Sequence, residues 1–265
     1  MTTWPGPRPA TPAMSEPEPP SGGGGTWEGF GPAAWGPLGD DPAGWGMPGL
    51  GPSPAGPGVG GGDDGLELSG KLLVAAPRMV DPNFARTVIL VLHHDIGGSL
   101  GLVLNRGSQL ALDEPLAQWS HLAPEPKVVF VGGPVASAAA ICLARLRGPA
   151  ESGTGAADGG IMDLAFERPQ GWRAVWGRVG TLDLNGDPAA AAALSVEAIR
   201  VFAGYAGWGP GQLPTELGFG GWMVVEPAEG DAFAAEPEGL WKAVLRRQSA
   251  PVAMLASYPE DPSAN

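Results

Sequence analysis

The sequence predicts an α/β domain that follows a long low-complexity segment, and two stretches of the chain carry this prediction. Val88–Leu92 is apolar at every position and rich in branched residues, which is typical of a strand covered on both faces. Residues 95–98 suit a turn and Leu100–Leu104 suits a returning strand, so this stretch predicts a β-hairpin. Residues 1–65 contain 19 glycines and 14 prolines. Such a segment cannot bury enough apolar surface to offset its ordering entropy, and we expect disorder there.

Shorter patterns place the remaining elements between residues 66 and 265, which we expect to form one domain of about 200 residues. Apolar runs predict further strands or buried segments at Lys71–Ala76, Lys127–Val131, Ala138–Leu146, Ala174–Leu184 and Val196–Ala203. Helices are predicted at Asp113–Trp119, after the Asp187-Pro188 N-cap pair, and around Leu240–Leu245. Loops are predicted at Gly148–Gly160 and Gly204–Gln212.

Composition favours a cytoplasmic protein that does not bind DNA directly. The single cysteine excludes an internal disulfide and fits a reducing compartment. No apolar run approaches the roughly 20 residues of a membrane span, so we expect no membrane association. The net charge is −13, and from Leu66 onward 14 basic residues face 21 acidic ones. Since DNA binding draws on Lys and Arg that neutralise phosphates, this balance disfavours direct DNA binding.

Several blocks of sequence resemble the YqgE/AlgH family. They are DPNFARTVILVLHHD (81–95), GLVLNR (101–106), VVFVGGPV (128–135), FAGYAGWGPGQLPTEL (202–217) and the closing DPS-N (261–265). The matches run in order over roughly three quarters of the chain. The resemblance implies an α+β fold with a mixed, barrel-like β-sheet flanked by helices. The family has no established activity, although some members carry a transcriptional-regulator label.

Polar side chains gather at the ends of the predicted hairpin strands and form the first half of a candidate binding site. These residues are Asn83, Arg86, His94, Asn105 and Arg106. A buried sheet that presents hydrogen-bonding groups at one rim is a common way for such domains to build a site. Arg86 or Arg106 would be the charge partner of a small anionic or polar ligand.

The predicted Gly204–Gln212 loop supplies the second half. Its glycines allow close approach of another group, and Tyr205 and Trp208 offer aromatic faces with polar ends. A helix that starts near Gln212 would place Gln212 and Glu216 on one face. The loop is either a tight connection whose aromatics fill the core or a ligand-contacting loop that faces the rim, and the sequence does not separate the two.

Four patterns suggest chemistry that the residues do not support. Gly97–Gly101 matches G-x-S-x-G, but a nucleophile elbow needs a strand, a sharp turn and a helix, and here both flanks resemble strands. His93, His94 and His121 fit no common zinc spacing, so we expect neither a metal nor another cofactor. Cys142 lies among apolar residues, and we expect it to be a packed, inert thiol. Gly132-Gly133-Pro134 is a steric turn in preference to an anion-binding nest.

The first functional hypothesis is therefore a non-catalytic module that binds a ligand or a protein, with an indirect regulatory role in transcription. The alternative is an enzyme that acts on a small polar substrate with Glu216 or His94 as acid/base, although no dyad or triad is evident. The four tryptophans of residues 1–65 (Trp4, Trp27, Trp35 and Trp45) reflect either drift in a low-complexity segment or aromatic contacts for a partner.

Overall fold

The computed structural model describes residues 66–148, 171–193 and 195–259. The predictions for residues 1–65, for most of the 148–160 loop and for the closing 261–265 block lie outside these ranges. Ten strands form the sheet of the described chain: β1 Leu72–Ala75, β2 Val88–Asp95, β3 Gly98–Val103, β4 Gly107–Ala111, β5 Val128–Val131, β6 Val135–Leu146, β7 Arg173–Trp176, β8 Val179–Leu182, β9 Val196–Trp208 and β10 Trp222–Val225.

The helices are short. The α-helices are α1 Asp113–Leu116, α2 Pro188–Ala193, α3 Gln212–Gly218 and α4 Leu240–Arg246. Single 3₁₀ turns or slightly longer 3₁₀ helices cover Ala117–Leu122, Asp231–Phe233, Pro237–Gly239 and Val252–Ser257. Within the described ranges, no helix is long and apolar enough to cross a membrane.

The sheet is mixed and barrel-like, as the family resemblance implies. Its strands follow the order β10-β1-β2-β3-β9-β6-β8-β7, and β5 joins β9 in parallel while the other pairs are antiparallel. The sheet curls until its ends approach each other: a Cβ at Gly70, just before β1, would lie 2.9 Å from the carbonyl oxygen of Val175 on β7. The predicted α+β fold is confirmed.

The curled sheet separates three apolar clusters. The interior cluster takes alternate residues of β2, such as Val88 and Leu90, and is completed by Leu240 and Trp241 of α4. A second cluster lies between β4–β9 and the helices around Trp119. A third lies on the outer side of β1, β2, β3 and β9, beneath the loop of residues 76–87 and α3. This outer face is the one that carries most of the predicted site.

The hairpin and most of the short elements are confirmed. β2 and β3 pair in antiparallel register, with an irregularity between Val91 and His93. The backbone N–H of Ala189 donates to Asp187 Oδ1 at 2.9 Å, which is the predicted N-cap bond of α2. The helix predicted from Asp113 is α-helical only to Leu116 and continues as 3₁₀.

The structure differs from the predicted elements in three places. Ala174–Leu184 is two strands, β7 and β8, because the chain turns at Gly177 with a φ of +51°. Gly204–Gln212 is mostly strand, since β9 runs on to Trp208. β4 was not anticipated, because its sequence GSQLA lacks the apolar alternation that marks a strand.

Glycines explain why β9 continues through the predicted loop. Gly204 has a φ of +70°, and a Cβ there would lie 2.6 Å from the carbonyl oxygen of Gly133. A Cβ at Gly133 would lie 2.2 Å from the carbonyl carbon of Tyr205. The turn after β5 therefore presses against β9, backbone to backbone. The glycines serve this close approach, which supports the steric interpretation of Gly132-Gly133-Pro134.

Candidate functional site

The 76–87 loop is folded tightly and directs Phe84 towards the sheet. Asp81 organises it: its Oδ1 accepts from the backbone N–H of Asn83 at 2.8 Å, and its carbonyl accepts from that of Phe84 at 2.9 Å. The Thr87 hydroxyl donates to the Phe84 carbonyl at 2.8 Å. Asn83 is exposed at the tip of this turn, while Phe84 is half-buried beneath it.

Two of the predicted rim residues hold this loop in place. Asn105 donates from Nδ2 to the Arg86 carbonyl and accepts from the backbone N–H of Val88, both at 2.9 Å. Arg106 donates from Nη2 to the carbonyl of Pro82 at 2.7 Å. Partial burial lowers the pKa of Arg106, and the Asp81 carboxylate acts in the opposite direction.

The third, Arg86, anchors the far end of the described chain. Its Nη2 donates to the carbonyl of Tyr258 at 2.9 Å and also contacts that of Pro259. Its guanidinium lies 4.6 Å from the centroid of the Trp241 ring, in cation–π geometry. Both arginines of the rim therefore donate to carbonyls of their own chain.

The aromatic residues of the predicted Gly204–Gln212 loop lie on opposite faces of β9. Tyr205 belongs to the interior cluster and is 6% exposed, and this burial raises the pKa of its phenol. Trp208, three residues later, points to the outer face. The predicted loop containing both is replaced by a strand that sends them to opposite sides, so Tyr205 and Trp208 do not share a surface.

On the outer face, the carboxylate of Glu216 is held by three neutral donors. Its Oε2 accepts from the indole Nε1 of Trp208 at 3.0 Å and from that of Trp222 at 2.8 Å. Its Oε1 accepts from Gln212 Nε2 at 2.9 Å, which confirms that Gln212 and Glu216 share a face of α3. We call Phe84, Trp208, Gln212, Glu216 and Trp222 the Glu216 cluster.

Aromatic contacts fix the two indoles of this cluster. The Phe84 ring lies 6.3 Å from Trp208 in a stacked arrangement and 5.6 Å from Trp222 edge to face, measured between centroids. The two indoles are 6.0 Å apart and nearly perpendicular. The loop before β2 and the end of β9 are thus adjacent, through Phe84 and Trp208 and not through the rim arginines.

Glu216 has no ionic partner among the residues of the described ranges, and its side chain is only half-buried. Phe219 is the C-cap residue that follows α3 and is 87% exposed, and its position three residues after Glu216 places the two on the same side of the helix end. Val80 is 90% exposed. The preceding residue, Met79, lies close to Gly221, the residue before β10. An outward-facing apolar side chain, Phe219, therefore accompanies the Glu216 carboxylate, and the 76–87 loop presents a second exposed apolar side chain at Val80.

His94 lies beside the turn between β2 and β3, at the opposite end of the hairpin from Arg86, Asn105 and Arg106. Its Nδ1 is 2.7 Å from Ser99 Oγ, and its backbone N–H donates to Ser69 Oγ at 3.1 Å. Ser99 is paired with Trp208 across β3 and β9 and is 2% exposed, so its hydroxyl is closed to a substrate. His93 bonds Asp95 at 3.0 Å instead. In the described part of the chain, no group of three or more His, Cys, Asp or Glu side chains is arranged to hold a metal ion.

Sequence reasoning missed two members of the Glu216 cluster. Phe84 lies in the 81–95 block that resembles the family. An aromatic residue between a turn and a strand was the signal that could have pointed to it. Trp222 gave no signal, because its place depends on β10 pairing with β1 opposite Ala75, more than 140 residues earlier.

Comparisons with known proteins agree with this fold. The chain matches the AlgH-like family model over residues 72–253. It is 50% identical over 198 residues to a UPF0301 protein of Streptomyces coelicolor, covering 75% of this chain and 95% of that one. It is 44% identical over 196 residues to a UPF0301 protein of Rhodococcus jostii, covering 74% and 90%.

The fold is also similar to that of solved structures, two of which illustrate it. Protein DIP2367 from Corynebacterium diphtheriae aligns with a TM-score of 0.62 at 28% identity, covering 72% of this chain and 93% of that one. The solution structure of AlgH from Pseudomonas aeruginosa aligns with a TM-score of 0.50 at 28% identity, with the same coverage. The match over residues 72–253 and the identities of 40–50% to curated relatives show that this chain belongs to the AlgH-like, UPF0301 family.

Proposed function

We propose that this protein is a non-catalytic binding module whose recognition surface consists of the Glu216 cluster together with Val80 and Phe219. The observation that carries the proposal is the carboxylate of Glu216, which is oriented by two indoles and an amide and lacks a cationic partner in the described chain. A fixed, half-buried charge beside exposed apolar groups suits a protein partner that presents a cationic group within an apolar patch.

The proposed partner presents a cationic group, whereas the sequence suggested an anionic or polar ligand. An anionic ligand would need Arg86 or Arg106, yet both guanidinium groups donate to backbone carbonyls of the chain itself. A ligand that displaced those bonds would leave carbonyls without donors, at a cost of about 1–3 kcal/mol each where they are buried. Glu216 can take a cation without losing any bond it already makes.

Native mass spectrometry of the full chain, gently purified from its own cells, tests the proposal. We expect a reproducible co-purifying protein that is lost in Phe219→Ala and in Glu216→Gln. Met254→Ala removes another apolar side chain, 71% exposed on the 252–257 turn, and serves as the matched control. A clean protein mass in every variant, or a partner retained by both surface variants, contradicts the proposal.

A regulatory role in transcription would follow from such a partner and would be indirect, because the charge balance of the chain disfavours DNA. An enzymatic role with Glu216 or His94 as acid/base is the alternative, and the 2.7 Å contact between His94 Nδ1 and Ser99 Oγ is the observation in its favour. The burial of Ser99 weighs against it. Turnover of a small polar substrate that disappears in Glu216→Gln or His94→Gln would establish the alternative.

A further inference from the structure

A cleft of about 490 Å³ opens beside β4, separate from the residues of the Glu216 cluster. One wall is formed by the starts of β4 and β5, and the other by the segment that leads into α4; the lining residues are Gly107, Ser108, Pro126, Val128 and residues 235–239. Its volume falls in the range of roughly 300–1,000 Å³ that ligand sites occupy. Several lining residues are small, so the backbone of a bound chain can approach closely.

One buried arginine holds the two walls together. Arg200 of β9 is 2% exposed, and its Nη2 donates to the carbonyl of Glu125 at 3.2 Å and to that of Ala234 at 3.1 Å. Glu125 directly precedes one wall and Ala234 directly precedes the other. The guanidinium of Arg200 also lies 4.3 Å from the centroid of the Phe130 ring. The spacing of the walls is therefore set by the core and does not depend on a surface contact.

The first two residues of β4 line the cleft, and the edge of β4 that faces away from β5 is open among the described strands. It pairs with β5 at Gly107 with Phe130 and at Ala111 with Val128, with an irregular register between the two pairs. The backbone N–H of Leu110 donates to Ser108 Oγ at 3.1 Å, so the other backbone groups of this edge are the ones open to a partner. Gly107 and Gln109 are exposed. An open strand edge offers backbone N–H and C=O groups to another extended chain, which is how strand addition gives affinity.

The cleft is lined by negative charge, which favours a cationic ligand. Glu236 and Glu238 line it, both are exposed, and neither has an ion-pair partner within the described ranges. Among the residues that the structure describes, no Lys or Arg lines the cleft. A chain that runs through it meets carboxylates on one side and hydrogen-bonding backbone on the other.

We propose that this cleft binds an extended, basic segment of a partner protein, which pairs its backbone with the open edge of β4 and places Lys or Arg side chains against Glu236 and Glu238. This surface differs from the one in the proposed function, and either can fail without the other.

The probe is a fluorescent peptide about eight residues long, the length of an ordinary strand, that alternates lysine and valine. Its binding to the full chain is followed by fluorescence anisotropy at low ionic strength. We expect saturable binding that weakens about fivefold in Glu236→Gln/Glu238→Gln, as two exposed ion pairs are lost. Glu67→Gln/Glu114→Gln removes the same charge outside the cleft lining and should change the affinity by less than about twofold.

Two further comparisons test the cleft and the strand pairing. A Cβ at Gly239 would meet nothing within 4 Å, so the backbone has room for a side chain there. Gly239→Phe adds a ring at a residue that lines the cleft and should abolish binding. A peptide methylated on alternate backbone nitrogens cannot pair as a strand and should bind at least tenfold more weakly. The proposal is overturned by absent binding, by equal losses in the two double variants, by unchanged binding in Gly239→Phe, or by full affinity of the methylated peptide.

Discussion

Replacing Glu216 by alanine should destabilise the domain through the two indoles that the carboxylate satisfies. Trp208 and Trp222 are each 4% exposed, and both donate from Nε1 to Glu216 Oε2. A buried donor left without an acceptor costs about 1–3 kcal/mol. Because Glu216 itself is half-buried, water can reach part of the gap, so we take the lower value for each indole. The expected loss in the free energy of unfolding for Glu216→Ala is about 2 kcal/mol.

The physical cause is tested by a double-mutant cycle with Trp222→Phe. In the Trp222→Phe background only one indole loses its acceptor, so Glu216→Ala should cost about 1 kcal/mol less than in the wild type. Urea unfolding followed by circular dichroism gives the four free energies, and Gln212→Ala, whose bond to Glu216 is exposed, should cost less than about 0.5 kcal/mol. A coupling energy below about 0.3 kcal/mol would refute the view that the indoles orient this carboxylate.

Three further predictions follow from buried features. Gly133→Ala forces a Cβ to within 2.2 Å of the Tyr205 backbone, so we expect more than about 3 kcal/mol of destabilisation or no folded protein, measured by urea unfolding against Gly218→Ala, where a Cβ meets nothing. Burial raises the pKa of the Cys142 thiol, so at pH 8 the folded chain should resist alkylation that goes to completion in urea; equal rates would contradict it. Arg200→Lys should lower thermal stability, because an ammonium cannot reproduce the planar fork that binds the carbonyls of Glu125, Ala232 and Ala234; an unchanged melting temperature would contradict it.

The hairpin, the N-cap of α2 and the general class of the fold were predictable because their causes are local. Apolar runs, a turn at residues 95–98 and the Asp187-Pro188 pair act within a few residues of sequence. The course of β9 was not predictable, since Gly204 looks like a loop residue until the backbone of Gly133 is seen to press against it. From sequence alone, Gly204 fits either a loop or a strand. The close approach of Gly133, some 70 residues earlier in the chain, decides for the strand.

The candidate site divides in the same way. The pairing of Gln212 with Glu216 followed from helical spacing and is confirmed. Arg86, Asn105 and Arg106 lie at the end of the hairpin opposite its turn, and sequence could not show that they would bond carbonyl and amide groups of the chain itself. The exception is Arg86 Nη1, which is buried without a hydrogen-bond partner in the described chain. The partners of Glu216 depend on Trp222, whose position is set by the register of β10 on β1.

The most direct test of a partner at the Glu216 surface is photocrosslinking in living cells, with Phe219→p-benzoylphenylalanine in the full chain. Phe219 is 87% exposed, so the change does not disturb the core, and the same replacement at Met254, 71% exposed, is the control. We predict one discrete crosslinked protein from position 219, absent from position 254 and lost when Glu216→Gln is added. No crosslink at position 219, or the same pattern from both positions, would contradict the account.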